Sequence, residues 1–322
     1  MVSVVVIGKD EGVGITSCLQ SVLAALTGAV PFEILYVDSH SQDDSLVRAR
    51  ALGARCFLPR ERRTTPALGR FIGAREARGE QVLFLDGDMT LEPGFVEAAL
   101  SALAEGYRGV CGIRRDVYMR GGEICGECGN YFGCRERRVA PEFGGAVLLE
   151  RAALLEAGSW APAVETCEEA ELYARLKRCG MQVVELPIPM ITHTDRVRDA
   201  RGLLGTIISR RRLGQGQALW HAITRRSARF LLQGDLTTRA WAIEAVALAV
   251  ALAAGLALGG MKGFSVFALL FTLCQGALLA YLRRRGRGRS LVSALLLLFY
   301  MPAGMLTYRR RDESYARWGA TT

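Results

Sequence analysis

Val82-Leu83-Phe84-Leu85-Asp86-Gly87-Asp88 places two carboxylates two residues apart, directly after a four-residue apolar run. Such a run reads as a buried strand, so both acids fall where the strand meets a loop. Carboxylates at the mouth of an α/β sheet suit a hard divalent cation that also binds phosphate oxygens. The cation would neutralise charge developing on a diphosphate leaving group. A bare Asp-x-Asp is common in surface turns; the apolar strand before it gives this one weight.

The elements that must hold these acids are legible around them. Ser3–Ile7, Glu33–Val37, Arg55–Leu58 and Gln81–Leu85 read as strands, and Gly14–Leu26, Ser45–Leu52 and Ala67–Ala77 as helices. Alternation of this kind, with fully apolar strands, predicts a mostly parallel sheet covered on both faces. In open sheets of that class ligands bind at the carboxyl ends of the strands. Asp38 and Asp86–Asp88 lie at two such ends.

The segment Gly69-Arg70-Phe71-Ile72-Gly73-Ala74-Arg75-Glu76-Ala77-Arg78-Gly79-Glu80, running on through Asp88, resembles the central block of family 2 glycosyltransferases of the GT-A fold. Three more blocks resemble that family in the same order: Val4–Glu11, the turn Val37-Asp38-Ser39-His40-Ser41-Gln42-Asp43-Asp44-Ser45, and Glu168-Glu169-Ala170-Glu171-Leu172 with Arg175-Leu176 and Gly180. Together they cover about the first 195 residues.

The resemblance implies roles by position. Asp38 would hydrogen-bond the nucleotide base, Glu11 would sit near the ribose or diphosphate, and Arg70 would help hold the nucleotide. Asp86 would face the ribose or the metal, and Asp88 would ligate a Mn²⁺ or Mg²⁺ ion. Gly145, of the pair Gly144-Gly145, would let the backbone approach the sugar. Glu169 matches the general base of inverting members, with Glu168 orienting the acceptor. A sugar hydroxyl is a poor nucleophile, so a positioned carboxylate must take its proton. Paired carboxylates raise one another's pKa, which helps make one a usable base near neutrality. His193 stands where some members carry a further metal ligand; a loop histidine without such a role is the alternative reading. His40 fits turn chemistry better than catalysis.

Departures from the pattern are Phe71 for the usual Asn, Asp10 for the Asn of the first block, and Glu169 for the commoner Asp. The Gln-x-x-Arg-Trp motif of processive polysaccharide synthases is absent, with Arg211-Arg212-Leu213-Gly214-Gln215 in the comparable region. Single transfer is therefore favoured over polymerisation. A processive synthase and a silent nucleotide-binding membrane scaffold are the alternatives.

The 322 residues carry 41 Lys+Arg against 32 Asp+Glu, a net charge of +9. From Arg201 onward there are 18 basic residues and four acids, so residues 1–200 are acidic overall and the tail strongly basic. Nucleic-acid binding is disfavoured, because the catalytic half is acidic and the arginines border apolar runs. Those runs are about 241–261, 264–282 and 291–308. The first two have about the length a helix needs to span a bilayer; buried core helices are the alternative. The third contains Pro302 and Gly304, and full spanning is favoured over re-entry. Arginines 283–289 place the catalytic domain on the cytoplasmic side by the positive-inside bias. No secretory signal is expected before residue 30.

The expected organisation is a GT-A catalytic domain (1–200), amphipathic interfacial helices (201–238), transmembrane helices (239–308) and a basic tail (309–322). The interfacial segment has a second reading, as basic helices packed on the catalytic domain. The expected location is multi-pass in a cell inner membrane. The expected partners are a nucleotide-sugar donor, a lipid-linked or glycan acceptor of the cell envelope and membrane lipids, with no nucleic acid. Cys111, Cys125, Cys128 and Cys134 could form a zinc site, but only one C-x-x-C occurs, so reduced thiols are the default. Arg114–Arg138 is the least family-like stretch and could shape acceptor choice.

Overall fold

A computed structural model describes residues 1–196, 213–284, 300–309 and 311–318. Strands β1 (Val2–Gly8), β2 (Phe32–Asp38), β3 (Arg55–Pro59) and β4 (Gln81–Asp86) are linked by helices α1 (Val13–Leu26), α2 (Ser45–Ala51) and α3 (Pro66–Glu76). They lie parallel in the order β3-β2-β1-β4. Their runs of β-branched and aromatic residues are buried because helices cover both faces, leaving Val4, Val5, Val6, Leu83 and Phe84 fully inaccessible. Thr65 starts α3 by accepting a hydrogen bond from Leu68 N at 3.0 Å, with Pro66 behind it at the first helical position.

The second half of the domain is mixed. It comprises β5 (Met89–Leu91), α4 (Phe95–Ala104), β6 (Gly109–Arg120), β7 (Glu123–Cys128), β8 (Arg138–Val139), β9 (Val147–Glu150), α5 (Arg151–Glu156), α6 (Glu168–Arg178) and β10 (Val183–Arg196). The sheet continues as β4-β9-β6-β10-β5, with β9 antiparallel to both its neighbours and β10 parallel to β6. The expected mixed α/β architecture with a mostly parallel N-terminal sheet is therefore present. The inserted antiparallel β9 brings the end of β4 close to the loop carrying Gly145.

Helices α7 (Gly214–Thr224) and α8 (Ala228–Gly234) pack against α6. Leu219, Ala222 and Leu231 are buried there beside Met301, while Trp220 and Ile223 face outward. The described part of the basic segment thus follows the second reading, and residues 201–212 lie outside the described residues. Next come α9 (Leu236–Leu258) and α10 (Gly260–Arg284), which pack along each other. Gly259 and Gly260 both have positive φ, so the turn between them is tight.

Among the described residues one helix, Thr238–Leu258, is long and apolar enough to cross a membrane. Among the described residues nothing beyond that helix supports the expected further spans, and α10 contributes the apolar stretch Gly260–Leu273. Of the third expected span, 291–299 lie outside the described residues, and 300–307 form a final helix, α11. Met301 of α11 is fully buried against α7 and α8. Beyond it β11 (Tyr315–Arg317) pairs antiparallel with β3 at the sheet edge. A tail hydrogen-bonded to the catalytic sheet cannot lie across a bilayer from it. The described end of the third segment and the tail at 315–317 lie against α7, α8 and the sheet, while 291–299 lie outside the described residues.

Candidate active site

The site forms where β1 and β4 end and where α6 begins. A cleft of about 850 Å³ is lined by Glu11, Arg70, Asp86, Asp88, Glu168 and Glu169, with Arg62–Thr65 and Glu165–Cys167 along its rim. Parallel strands expose their carboxyl ends at one edge, so residues 75 or more positions apart in sequence meet there.

Arg70, on α3, is the centre of the arrangement. It is only 1 % exposed. Its Nη2 donates to Asp86 Oδ1 at 2.7 Å and its Nη1 to Glu168 Oε1 at 2.6 Å, with Glu169 Oε1 at 3.6 Å. The Trp160 ring lies under the guanidinium, 5.1 Å from centroid to Cζ. Burial opposes the cation, but Asp86, Glu169 and Glu168 together outweigh it and hold Arg70 firmly protonated. A planar fork is the side chain that can bridge two separated carboxylates in fixed geometry.

The two glutamates differ in environment. Glu168 is buried, and burial together with the neighbouring Glu169 pushes its carboxyl up to about 8 against the pull of Arg70. Glu169 is also raised by burial, opposed by Arg70 and by backbone N–H groups at the start of α6. Its side chain keeps 22 % exposure to the cleft, against 5 % for Glu168. Glu168 is thus engaged with Arg70, and Glu169 is the carboxylate free to meet a substrate. Cys167, which precedes the pair, holds φ at 65°. Left-handed backbone at a residue with a side chain is costly and recurs where a neighbouring group must be aimed.

Asp88 and His193 form a second cluster. His193 Nε2 lies 3.3 Å from Asp88 Oδ2, and its Nδ1 lies 2.8 Å from Asp116 Oδ1 and 3.0 Å from Arg114 Nη2. Burial lowers the imidazole pKa, but the hydrogen bond and charge of Asp88 more than reverse it, so His193 is raised. Asp88 Oδ1 is buried without a hydrogen-bond partner. Such an oxygen is costly to bury and fits a cation ligand. Among the described residues no group of three or more His, Cys, Asp or Glu is assembled to hold a metal. Asp86, expected to share the metal, has one oxygen on Arg70.

The remaining expected residues fall into place unevenly. Glu11 lines the cleft. A Cβ at Gly145 would sit 2.5 Å from Asp86 Oδ2 and 2.7 Å from Arg70 Nη2, so only glycine lets this loop close over the pair. Asp38 is fully buried, with Oδ1 accepting from Tyr36 Oη at 3.0 Å and Ser41 Oγ at 2.5 Å, and Oδ2 from Ser41 N at 2.8 Å. Its carboxylate shapes the turn, while Ser39 of the same turn reaches the cleft. His40 adopts φ 60° and contacts Glu61 O at 3.2 Å, in keeping with a turn role.

Among the described residues the four cysteines considered for zinc are not gathered into a metal-holding group. Cys125 and Cys128 lie on β7, whose pairing with β6 is irregular at Cys125. Cys134 and Cys111 are buried free thiols, and burial raises both. Sequence reading did not single out Trp160, Asp116 or Glu165. A charged residue within an apolar strand pattern was the one available sign for Asp116.

The fold is a GT-A-like mixed α/β domain, with an acidic strand end and an acidic helix start meeting at one sheet edge. Residues 3–125 match the Glycosyl transferase family 2 sequence family. Among solved structures it is similar to GalNAc-T7 crystallised with UDP, GalNAc and Mn²⁺, at 17 % identity and a TM-score of 0.56. That likeness covers 73 % of this chain and 52 % of the other, so the chain spans about half of that structure. A search of curated protein sequences returned no match.

Proposed function

We propose that this protein is an inverting glycosyltransferase that moves a sugar from a nucleotide-sugar donor to a hydroxyl acceptor. The observation that carries this reading is the Arg70 bridge, which holds Asp86 of the strand end and Glu168 of the helix start in one cleft. Glu169 accepts the proton of the acceptor hydroxyl as that oxygen attacks the anomeric carbon. The sugar–phosphate bond breaks on the opposite face, and the nucleoside diphosphate leaves. Glu168 and Arg70 fix the position of Asp86 and the start of α6 throughout.

A divalent cation would be held by Asp88, whose Oδ1 is unpartnered, and by His193. When bound it supplies positive charge to the leaving diphosphate. Glu11 and Ser39 contribute to the wall for the ribose and diphosphate, with Asp38 shaping the turn beside the base.

The acceptor is lipid-linked or a glycan presented at a membrane surface. Support comes from the Thr238–Leu258 helix and from Trp220 and Ile223, which face outward on α7. The experiment is to screen nucleotide sugars for cation-dependent nucleotide release by membranes containing the protein, with Asp88→Ala as comparison. Release by the wild-type chain and its loss in the variant are expected. Full release by Asp88→Ala, or none with any donor, would contradict the reading.

A further inference from the structure

The loop 161–167 leads directly into Glu168 and Glu169, and the chain's C-terminal third holds it. Gln217 Oε1 of α7 accepts from Glu165 N at 3.0 Å. A Cβ at Gly214 would lie 2.3 Å from Thr166 N, so the start of α7 is pressed against the loop. Arg311, from the segment between α11 and β11, donates to Glu165 Oε1 at 3.2 Å. The same guanidinium donates to Glu61 Oε1 at 2.8 Å and to Arg63 O at 2.5 Å. Arg63 itself donates to Glu165. Thr65 Oγ1 closes the circuit by donating to Pro162 O at 2.8 Å.

Two walls of the cleft, 62–65 and 165–167, are thus joined by one side chain that lies about 250 residues beyond the first in sequence. Arg311 is well shielded, with a side-chain exposure of 9 %. Three acceptors on two loops satisfy its fork, an arrangement a solvated basic tail would not produce. The strand β11 anchors the segment further, with Tyr315 Oη donating to Glu76 Oε1 at 2.6 Å.

We infer that Arg311 is a positioning residue for the donor cleft, and that the tail beyond the apolar helices is an integral part of the catalytic domain. The tail straps the two loops together and fixes the entry into the helix that carries the glutamates. This inference rests on the proposed reaction for its kinetic readout, but not for its structural one.

The test uses the full-length protein in detergent or nanodiscs. Hydrogen–deuterium exchange is followed in 60–66 and 163–167 for wild type, Arg311→Ala, Arg311→Lys and Tyr315→Phe. Kinetics follow with whichever of a UDP-, GDP-, dTDP- or CMP-sugar panel supports nucleotide release. Arg311→Ala should speed exchange in both loops and raise donor KM about tenfold, the size of one lost charge-assisted contact. Its kcat should change by less than about threefold. Arg311→Lys keeps the charge but cannot span three acceptors, so its KM should fall between the two. Tyr315→Phe removes one anchor of β11 but leaves the Arg311 fork intact, so its effect on both loops and on donor KM should be smaller than that of Arg311→Ala. Unchanged exchange in both loops, or an unchanged donor KM in Arg311→Ala, overturns the inference. If no donor turns over even in wild type, the proposed reaction fails while the exchange data still judge the strap.

Discussion

Replacing Arg70 by Met would leave Asp86, Glu168 and Glu169 facing one another in a largely buried pocket without their shared cation. Methionine keeps much of the packing against Trp160 but supplies none of the two short hydrogen bonds, at 2.7 and 2.6 Å. Removing one partner of a buried pair typically costs about 3–5 kcal/mol, because the carboxylates left behind are unpaired. The carboxylates can reduce that cost by binding protons, since Arg70 is what lowers Glu168 and Glu169 against burial. The penalty should therefore be largest at alkaline pH and should shrink as pH falls. Two readouts follow from this. Denaturant unfolding of the variant should show a loss of this order above neutrality and a smaller loss near pH 5. The pH limb on which activity rises should move to higher pH, because a base that holds its proton more tightly is ionised later. Arg70→Lys should recover part of the stability but little turnover, since a single ammonium cannot bridge both acids. Unchanged stability together with an unchanged pH profile in Arg70→Met would refute the reasoning.

Other expectations are narrower. Glu168 titrates near 8 in the fold against about 4.5 when unfolded, so the folded state holds its proton more tightly. Its contribution is present below about 4.5 and lost as pH rises through about 8; thermal unfolding across that window should show the decline, and Glu168→Gln should flatten it. Gly145→Ala should abolish most turnover while costing about 1–3 kcal/mol of stability, as expected for overpacking against Asp86 and Arg70; a fully active variant would remove the close-approach argument. Among the thiols, exposed Cys125 should react with a maleimide in the native protein while buried Cys18 and Cys111 resist; mass spectrometry of the labelled protein gives the order directly.

How much of this was legible in sequence depends on the range of each signal. The β1–α1–β2–α2–β3–α3–β4 run could be read because its strands are continuously apolar and its helices periodic. Arg70, Asp86, Asp88, Glu168 and Glu169, singled out in separate sequence blocks, line one cleft. Asp38 shows the limit: its position at a strand end was visible, but the capture of its carboxylate by Tyr36 and Ser41 depends on side-chain directions. Trp160 and Glu165 lie in a loop without periodicity, and their partners are Arg70, Arg63 and Arg311 far along the chain. The apolar C-terminal runs were visible as composition alone. Composition does not say that 300–307 packs on α7, or that Tyr315–Arg317 adds a strand beside β3. The basic tail looked like a solvated or membrane-facing run because the acids that pair with Arg311 come from elsewhere in the sequence.

The central claim is that Glu169 takes the acceptor's proton, with Glu168 and Arg70 holding the helix start in place. Its most direct test is acceptor-dependent transfer by Glu169→Gln, which preserves size and hydrogen bonding but cannot act as a base. Transfer should fall by about 10²–10⁴-fold, the range for removal of a general base. Donor binding and the unfolding midpoint should stay close to wild type. Transfer at the wild-type rate in Glu169→Gln would contradict the account.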